Sequence, residues 1–266
     1  MTRSKYETRG VSLSVSEHGE GMPFVFQHGL CGDADQVIQV FPEDTGFRCL
    51  TVECRGHGQS ETGPLDDLSI PTFTDDVAGY IRHLGRPVVG GISMGAAISL
   101  RIAVRWPHMI RALILARPAW VTEDGPKSAY PNLFVGQLLA QYEPHEALSR
   151  FEASAVAKDL AEHGPDNLSA ARGFFTREPI AVTSALLRSI TLGGPGVTED
   201  EIKKVSVPTL VIGNNRDPVH PVSYARVLAD MIPNASFVEI TSKSDSVEAY
   251  RRDFRSALEK FLRNLS

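Results

Sequence analysis

The stretch Val88-Val89-Gly90-Gly91-Ile92-Ser93-Met94-Gly95-Ala96-Ala97 decides the fold. Val88 to Ile92 is apolar enough for a buried strand, and an apolar helix is predicted from Met94 to about Arg105. A serine in Gly-x-Ser-x-Gly between strand and helix occupies a tight, strained turn. The flanking glycines belong there because a Cβ would collide with neighbouring backbone. Such a turn pushes the hydroxyl out at the carboxyl edge of a sheet, and the helix N-terminus behind it favours developing negative charge. This is a nucleophile's position; the alternative is a glycine-rich strand-to-helix turn that merely contains a serine.

Upstream of this stretch, Val11 to Ser16 alternates like a half-exposed strand, and Pro23 to Gln27 is a short apolar strand that runs into His28-Gly29-Leu30-Cys31-Gly32. A glycine-bearing loop at a strand end can turn backbone N–H groups toward an oxyanion. Asp33 to Phe41 reads as a short helix and Phe47 to Cys54 as a buried strand. Phe73, Val77, Tyr80, Ile81 and Leu84 then recur at helical spacing. Downstream, Ile110 to Ala116 is another continuous apolar strand.

From Pro118 to about Lys204 the pattern changes to helical fragments, Leu133 to Tyr142, Glu146 to His163, Asn167 to Phe175 and Ile180 to Thr191, with no convincing strand. An all-helical insertion of this size is best read as a lid, most of whose aromatic residues form its own core while a few line a pocket. Trp120 and Phe134, together with His28, are expected to line the substrate pocket. Strands resume at Val207 to Gly213 and Ala235 to Thr241, separated by a helix from Pro221 through Met231. A final helix carries the stripe Val247, Tyr250, Phe254, Leu258, Phe261 and Leu262. Apolar strands alternating with helices predict an α/β fold, a mostly parallel central sheet with helices on both faces. The expected organisation is a core domain formed by residues 1–117 and 205–266, interrupted by a helical lid at 118–204.

With 266 residues, the chain suits one α/β domain with an insertion. A net charge of -5 gives no support for nucleic-acid or acidic-membrane binding, so small molecules are the expected partners. No run approaches the roughly 18 apolar residues of a membrane span, and no apolar run follows the basic start as it would in a signal peptide. Cys31, Cys49 and Cys54 are odd in number and read as reduced thiols of a cytoplasmic protein. No cofactor is called for, and both a monomer and a homodimer fit.

Four motifs in order resemble the α/β-hydrolase superfamily: His28-Gly29, Arg55-Gly56-His57-Gly58-x-Ser60, Gly91-x-Ser93-x-Gly95, and Gly213-x-x-x-Asp217. The resemblance covers nearly the whole chain outside the insertion. It implies a serine nucleophile, Ser93, an acid, Asp217, and an oxyanion hole from the amides of Leu30 and Met94. It also implies a base histidine after the last strand, yet that loop reads Thr241-Ser242-Lys243-Ser244-Asp245-Ser246, and no histidine lies beyond His220. His220, three residues after Asp217, is one candidate base, and Lys243, in the loop where the base belongs, is another. His28 and His57 are further candidates, in motifs the family keeps for loop structure.

The expected function is hydrolysis of a small, fairly apolar ester, lactone or related carbonyl compound through Ser93 with an atypical base. A non-hydrolytic binder or sensor on the same fold, or C–C hydrolase or lyase chemistry, stands as the alternative.

Overall fold

A computed structural model describes residues 1–265. Eight strands form one sheet: β1 (Thr2–Thr8), β2 (Val11–His18), β3 (Met22–Gln27), β4 (Phe47–Val52), β5 (Val88–Ile92), β6 (Ala112–Ala116), β7 (Thr209–Gly213) and β8 (Ala235–Glu239). Their order is β1-β2-β4-β3-β5-β6-β7-β8. The β1–β2 and β2–β4 pairs are antiparallel, and every pair from β4–β3 to β7–β8 is parallel. β5 and β6 are buried along their whole length, which is why both read as unbroken apolar runs.

Side chains of opposite parity on one strand serve opposite faces of the sheet, so Val25 joins one core and Phe24 and Phe26 the other. The first core packs against α2 (Ile70–Ile81) and α3 (Met94–Arg105), whose inward residues include Phe73, Val77 and Ile98. The second core packs against α1 (Ala34–Ile38) through Val37 and against the C-terminal helix through Phe254, Leu258 and Leu262. Each such buried side chain contributes about 1.5–3 kcal/mol relative to exposure.

Between β6 and β7 lie α4 (Tyr130–Gln141), α5 (Pro144–Glu152), α6 (Ala155–His163), α7 (Pro165–Phe174), α8 (Ile180–Leu192) and the short α9 (Glu199–Ile202), with no strand among the described residues. These helices own a separate apolar cluster around Val135, Phe151, Leu160, Phe175 and Leu187, against which Leu30 and Cys31 of the β3 loop pack. After β7 come α10 (Val222–Met231) and, beyond β8, α11 (Val247–Arg263).

Two of the differences from the sequence reading have a clear physical cause. The span Glu146 to His163 is two helices, because Ser154 turns its side chain onto the Ala157 amide and caps α6 afresh. β1 was not anticipated from the sequence: it is an edge strand, mostly exposed, so it carries no apolar alternation to betray it.

Candidate active site

Three neighbouring strands, β5, β6 and β7, end at one edge of the sheet, and each is followed closely by a non-glycine residue at positive φ. These are Ser93 (φ 56°), Arg117 (φ 46°) and Arg216 (φ 54°). Left-handed backbone at such residues is strained and persists where the surroundings hold it. The Ser93 amide donates to the Ala116 carbonyl (2.9 Å), and the Arg117 amide to that of Ile212 (2.8 Å), so each turn is tied to the next strand. Space at the serine turn is set by glycine: a Cβ on Gly91 would meet the Gly95 carbonyl carbon at 2.4 Å, and one on Gly95 the Gln27 carbonyl oxygen at 2.4 Å.

Above this edge the Ser93 hydroxyl lies 2.9 Å from His220 Nε2, and His220 Nδ1 lies 2.8 Å from Asp217 Oδ1. An ionised carboxylate only accepts, so Nδ1 carries the hydrogen and Nε2 is left with a lone pair toward the Ser93 hydroxyl. The His220 amide also donates to Asp217 Oδ1 (3.2 Å), so the Asp217–His220 turn holds its own acid against its own imidazole. Such a relay can draw a proton from the hydroxyl.

Asp217 is buried and has further donors: Asn167 Nδ2 reaches Oδ1 (3.0 Å) and Arg117 Nε reaches Oδ2 (2.7 Å). Burial pushes this carboxyl up, but the charges of Arg117 and His220 and the hydrogen bonds outweigh it and hold it well below the usual carboxylate range. Burial works against the Arg117 charge too, but the Asp217 and Asp166 carboxylates and a hydrogen bond with Tyr250 more than offset it, so the guanidinium stays cationic.

Lys243 is a partner of another kind. Its Nζ sits 3.0 Å from Asp166 Oδ1, at the start of α7, where the Asp166 amide donates to Ser244 Oγ (3.3 Å) and Arg117 Nη2 lies 3.4 Å from Asp166 Oδ2. Lys243 is thus tied to Asp166, and of the nitrogens singled out in the sequence it is His220 Nε2 that lies against the Ser93 hydroxyl.

His28 and His57 are both fully committed to backbone. His28 Nδ1 donates to the Gly29 carbonyl (2.8 Å) and Nε2 accepts from the Cys54 amide (3.0 Å). His57 does the same with the Arg55 carbonyl (2.9 Å) and the Cys31 amide (3.0 Å). Burial depresses the pKa of His28, and that of His57 further still, so both remain neutral struts of the loop.

The Leu30 amide faces no competitor. Its neighbours are spoken for, Gly29 by Gln36 Oε1 (2.6 Å) and Cys31 by His57, whereas no turn, loop or cap bond among the described residues uses the Leu30 amide. Met94 is the first residue of α3, so its amide is one the helix itself cannot satisfy.

The cavity over Ser93 measures about 100 Å³. Leu30, Ile92, Phe174 and Val219 supply its apolar wall, and Gln36, Asn132, Asp166 and Lys243 add polar groups beside the relay. His28, Trp120 and Phe134 do not line it, contrary to expectation. His28 is buried beneath the loop, Trp120 packs in the core with Nε1 on the Gly193 carbonyl (2.9 Å), and Phe134 stacks on Tyr130 and joins the helical cluster. Larger open grooves of about 660 and 520 Å³ lie against Phe41–Phe47 and against β8, away from this relay. Among the described residues no group of three or more His, Cys, Asp or Glu side chains is placed to hold a metal ion.

Arg117, Asp166 and Asn167 were missed in the sequence. Arg117 left a trace, a charge directly after an unbroken apolar strand; the other two left none.

Residues 22–245 match the model of the alpha/beta hydrolase fold family. The chain belongs to the α/β-hydrolase family. This α/β-hydrolase is an enzyme, and its sequence is 26% identical to the AB hydrolase superfamily protein YisY of Bacillus subtilis over 86% of each chain. It is 27% identical to the non-heme chloroperoxidase CPO-A1 of Kitasatospora aureofaciens, covering 94% of this chain and 97% of the other. Among solved structures it resembles the enol-lactonase of Burkholderia xenovorans LB400, with a TM-score of 0.72 and 25% identity over 97% and 99% of the two chains. No helix among the described residues of this α/β-hydrolase is long and apolar enough to cross a membrane.

Proposed function

We propose that the protein is a serine hydrolase of small esters, lactones or related carbonyl compounds, with Ser93 as nucleophile, His220 as base and Asp217 as the acid that orients it. The observation that carries this reading is the 2.9 Å approach of His220 Nε2 to Ser93 Oγ, with Asp217 on the far ring nitrogen. His220 takes the hydroxyl proton as Ser93 Oγ bonds to the carbonyl carbon, and the carbonyl oxygen becomes an oxyanion held by the Leu30 and Met94 amides. The C–O bond to the alcohol breaks, and His220 returns the proton to the departing oxygen. Water, deprotonated by the same imidazole, then attacks the acyl-enzyme and releases the acid and free Ser93.

The acyl pocket favours short substrates. A dry cavity of about 150 Å³ holds benzene, and the space over Ser93 is about 100 Å³. Its polar rim fits a more polar acyl group than the insertion's aromatics suggested. Lactonase and esterase relatives support ester-type chemistry. The helices of residues 118–204 serve as a lid, since Asp166 and Asn167 of α7 reach the relay from that side. The free cysteines fit a cytoplasmic location.

The test is covalent capture. A fluorophosphonate should modify Ser93, located by peptide mass spectrometry, and a graded panel of esters should show turnover falling steeply with acyl length. A folded protein left unlabelled at Ser93, yet binding ligands saturably, would favour the sensor reading instead.

A further inference from the structure

A base only three residues from its acid poses a problem of aim. In the Asp217–His220 turn, both groups ride on one short loop, and a carboxylate free to rotate about its own side chain can present either oxygen, or neither, to the imidazole. Oδ1 collects the His220 ring nitrogen, the His220 amide and Asn167; Oδ2 is gripped by Arg117 alone among the described residues. Arg117 reaches it from a different strand end, in a strained backbone conformation, with its amide on the Ile212 carbonyl and the preceding carbonyl on the Ser93 amide. Arg117 thus ties the second oxygen of the acid to the strand end that also holds the Ser93 amide.

We propose that Arg117 is a positioning residue for the acid–base pair: it locks the Asp217 carboxylate through Oδ2, the oxygen that His220 does not use, and shares its negative charge. The inference rests on the serine-hydrolase reading above. Charge sharing follows from placement, since Arg117 Nη2 lies 3.4 Å from His220 Nδ1, where two donors face each other and no hydrogen bond forms. An imidazolium formed there meets the guanidinium as well as the carboxylate. The other charged or titratable groups are Asp166 from α7 and Lys243 from the loop after β8, which pair with each other, and Tyr250 from α11 under the guanidinium at 5.6 Å. Burial pushes the Tyr250 phenol up, so it stays neutral. Removing Arg117 therefore leaves the Asp217 charge unshared and makes protonation of the base easier.

The experiment compares wild type, Arg117→Lys and Arg117→Met, using 4-nitrophenyl acetate turnover and the rate of Ser93 phosphonylation by a 4-nitrophenyl phosphonate, each across pH. For Arg117→Met, kcat should fall about 10- to 100-fold with KM little changed, as for a lost hydrogen bond to a charged group. Its acid limb should move up by about one pH unit. Arg117→Lys keeps the charge without the rigid fork, so its rate should drop while the limb stays in place. A folded variant with the wild-type rate overturns the proposal, as does an Arg117→Met rate loss with an unmoved limb or loss of folding in both variants, each of which marks a purely structural role. Wild type that is never labelled at Ser93 fails at the earlier reading, whereas labelled wild type with indifferent Arg117 variants fails here alone.

Discussion

The loops after β7 and after β8 make different contacts at the candidate site. The first, Asp217 to His220, holds a carboxylate and an imidazole together, with the imidazole 2.9 Å from the serine. The second, where the family resemblance puts a histidine, offers Lys243, which pairs with Asp166 on α7. Both loops leave the carboxyl edge of the same parallel sheet and can reach the same cavity. The contrast teaches that a base is defined by reach and tautomer, not by its place in the chain. The second loop instead holds the helical insertion, through Lys243 and Ser244 on Asp166.

The comparison breaks most directly at His220. His220→Ala should lower kcat on a short ester by roughly 10⁴- to 10⁶-fold, as loss of a base does in comparable triads. Near-normal turnover in the folded variant would return the role to the second loop. Asp217→Asn should lose roughly 10⁴-fold in steady-state kcat, because the amide no longer enforces the Nδ1–H tautomer.

Asn167→Ala sharpens the contrast, since it removes the grip of the insertion on the acid while leaving the turn intact. A drop of about 10- to 100-fold in kcat is expected. Lys243→Ala should change kcat/KM by no more than about fivefold, as a partly exposed ion pair contributes at most about 1 kcal/mol. A larger loss would mean that the lysine touches substrate.

The smallest effect concerns the two buried loop histidines, His28 and His57. Burial lowers their pKa in the folded state, so the unfolded chain binds more protons. The stability they help maintain is whole above about pH 6.5 and falls as pH drops below that, by up to about 1.4 kcal/mol per unit for each. Urea titrations at pH 7.5 and 5.5 should show a smaller pH dependence for His57→Gln than for wild type.

Much of this was legible in the residues. Unbroken apolar strands such as Ala112–Ala116 announced a parallel sheet, because a strand covered on both faces has no polar side to show. Gly91-x-Ser93-x-Gly95 announced the turn, because only glycine tolerates carbonyls at such range. β1 was illegible, since an exposed edge strand needs no apolar code. Arg117 and Asn167 were illegible as partners of Asp217 for another reason. They lie 100 and 50 residues from it, and nothing local to any of the three encodes that meeting.

By itself, the sequence determined the layers of the fold, the serine on its bend, and a short list of nitrogen groups able to take its proton. Those follow from local sterics and hydrophobic periodicity, which act over a few neighbouring residues. Only the tertiary structure placed one of His220, Lys243, His28 and His57, namely His220, against the serine hydroxyl. That placement depends on which nitrogen the packed strand ends bring within hydrogen-bond range of one oxygen, and on which nitrogens the backbone and Asp166 hold elsewhere.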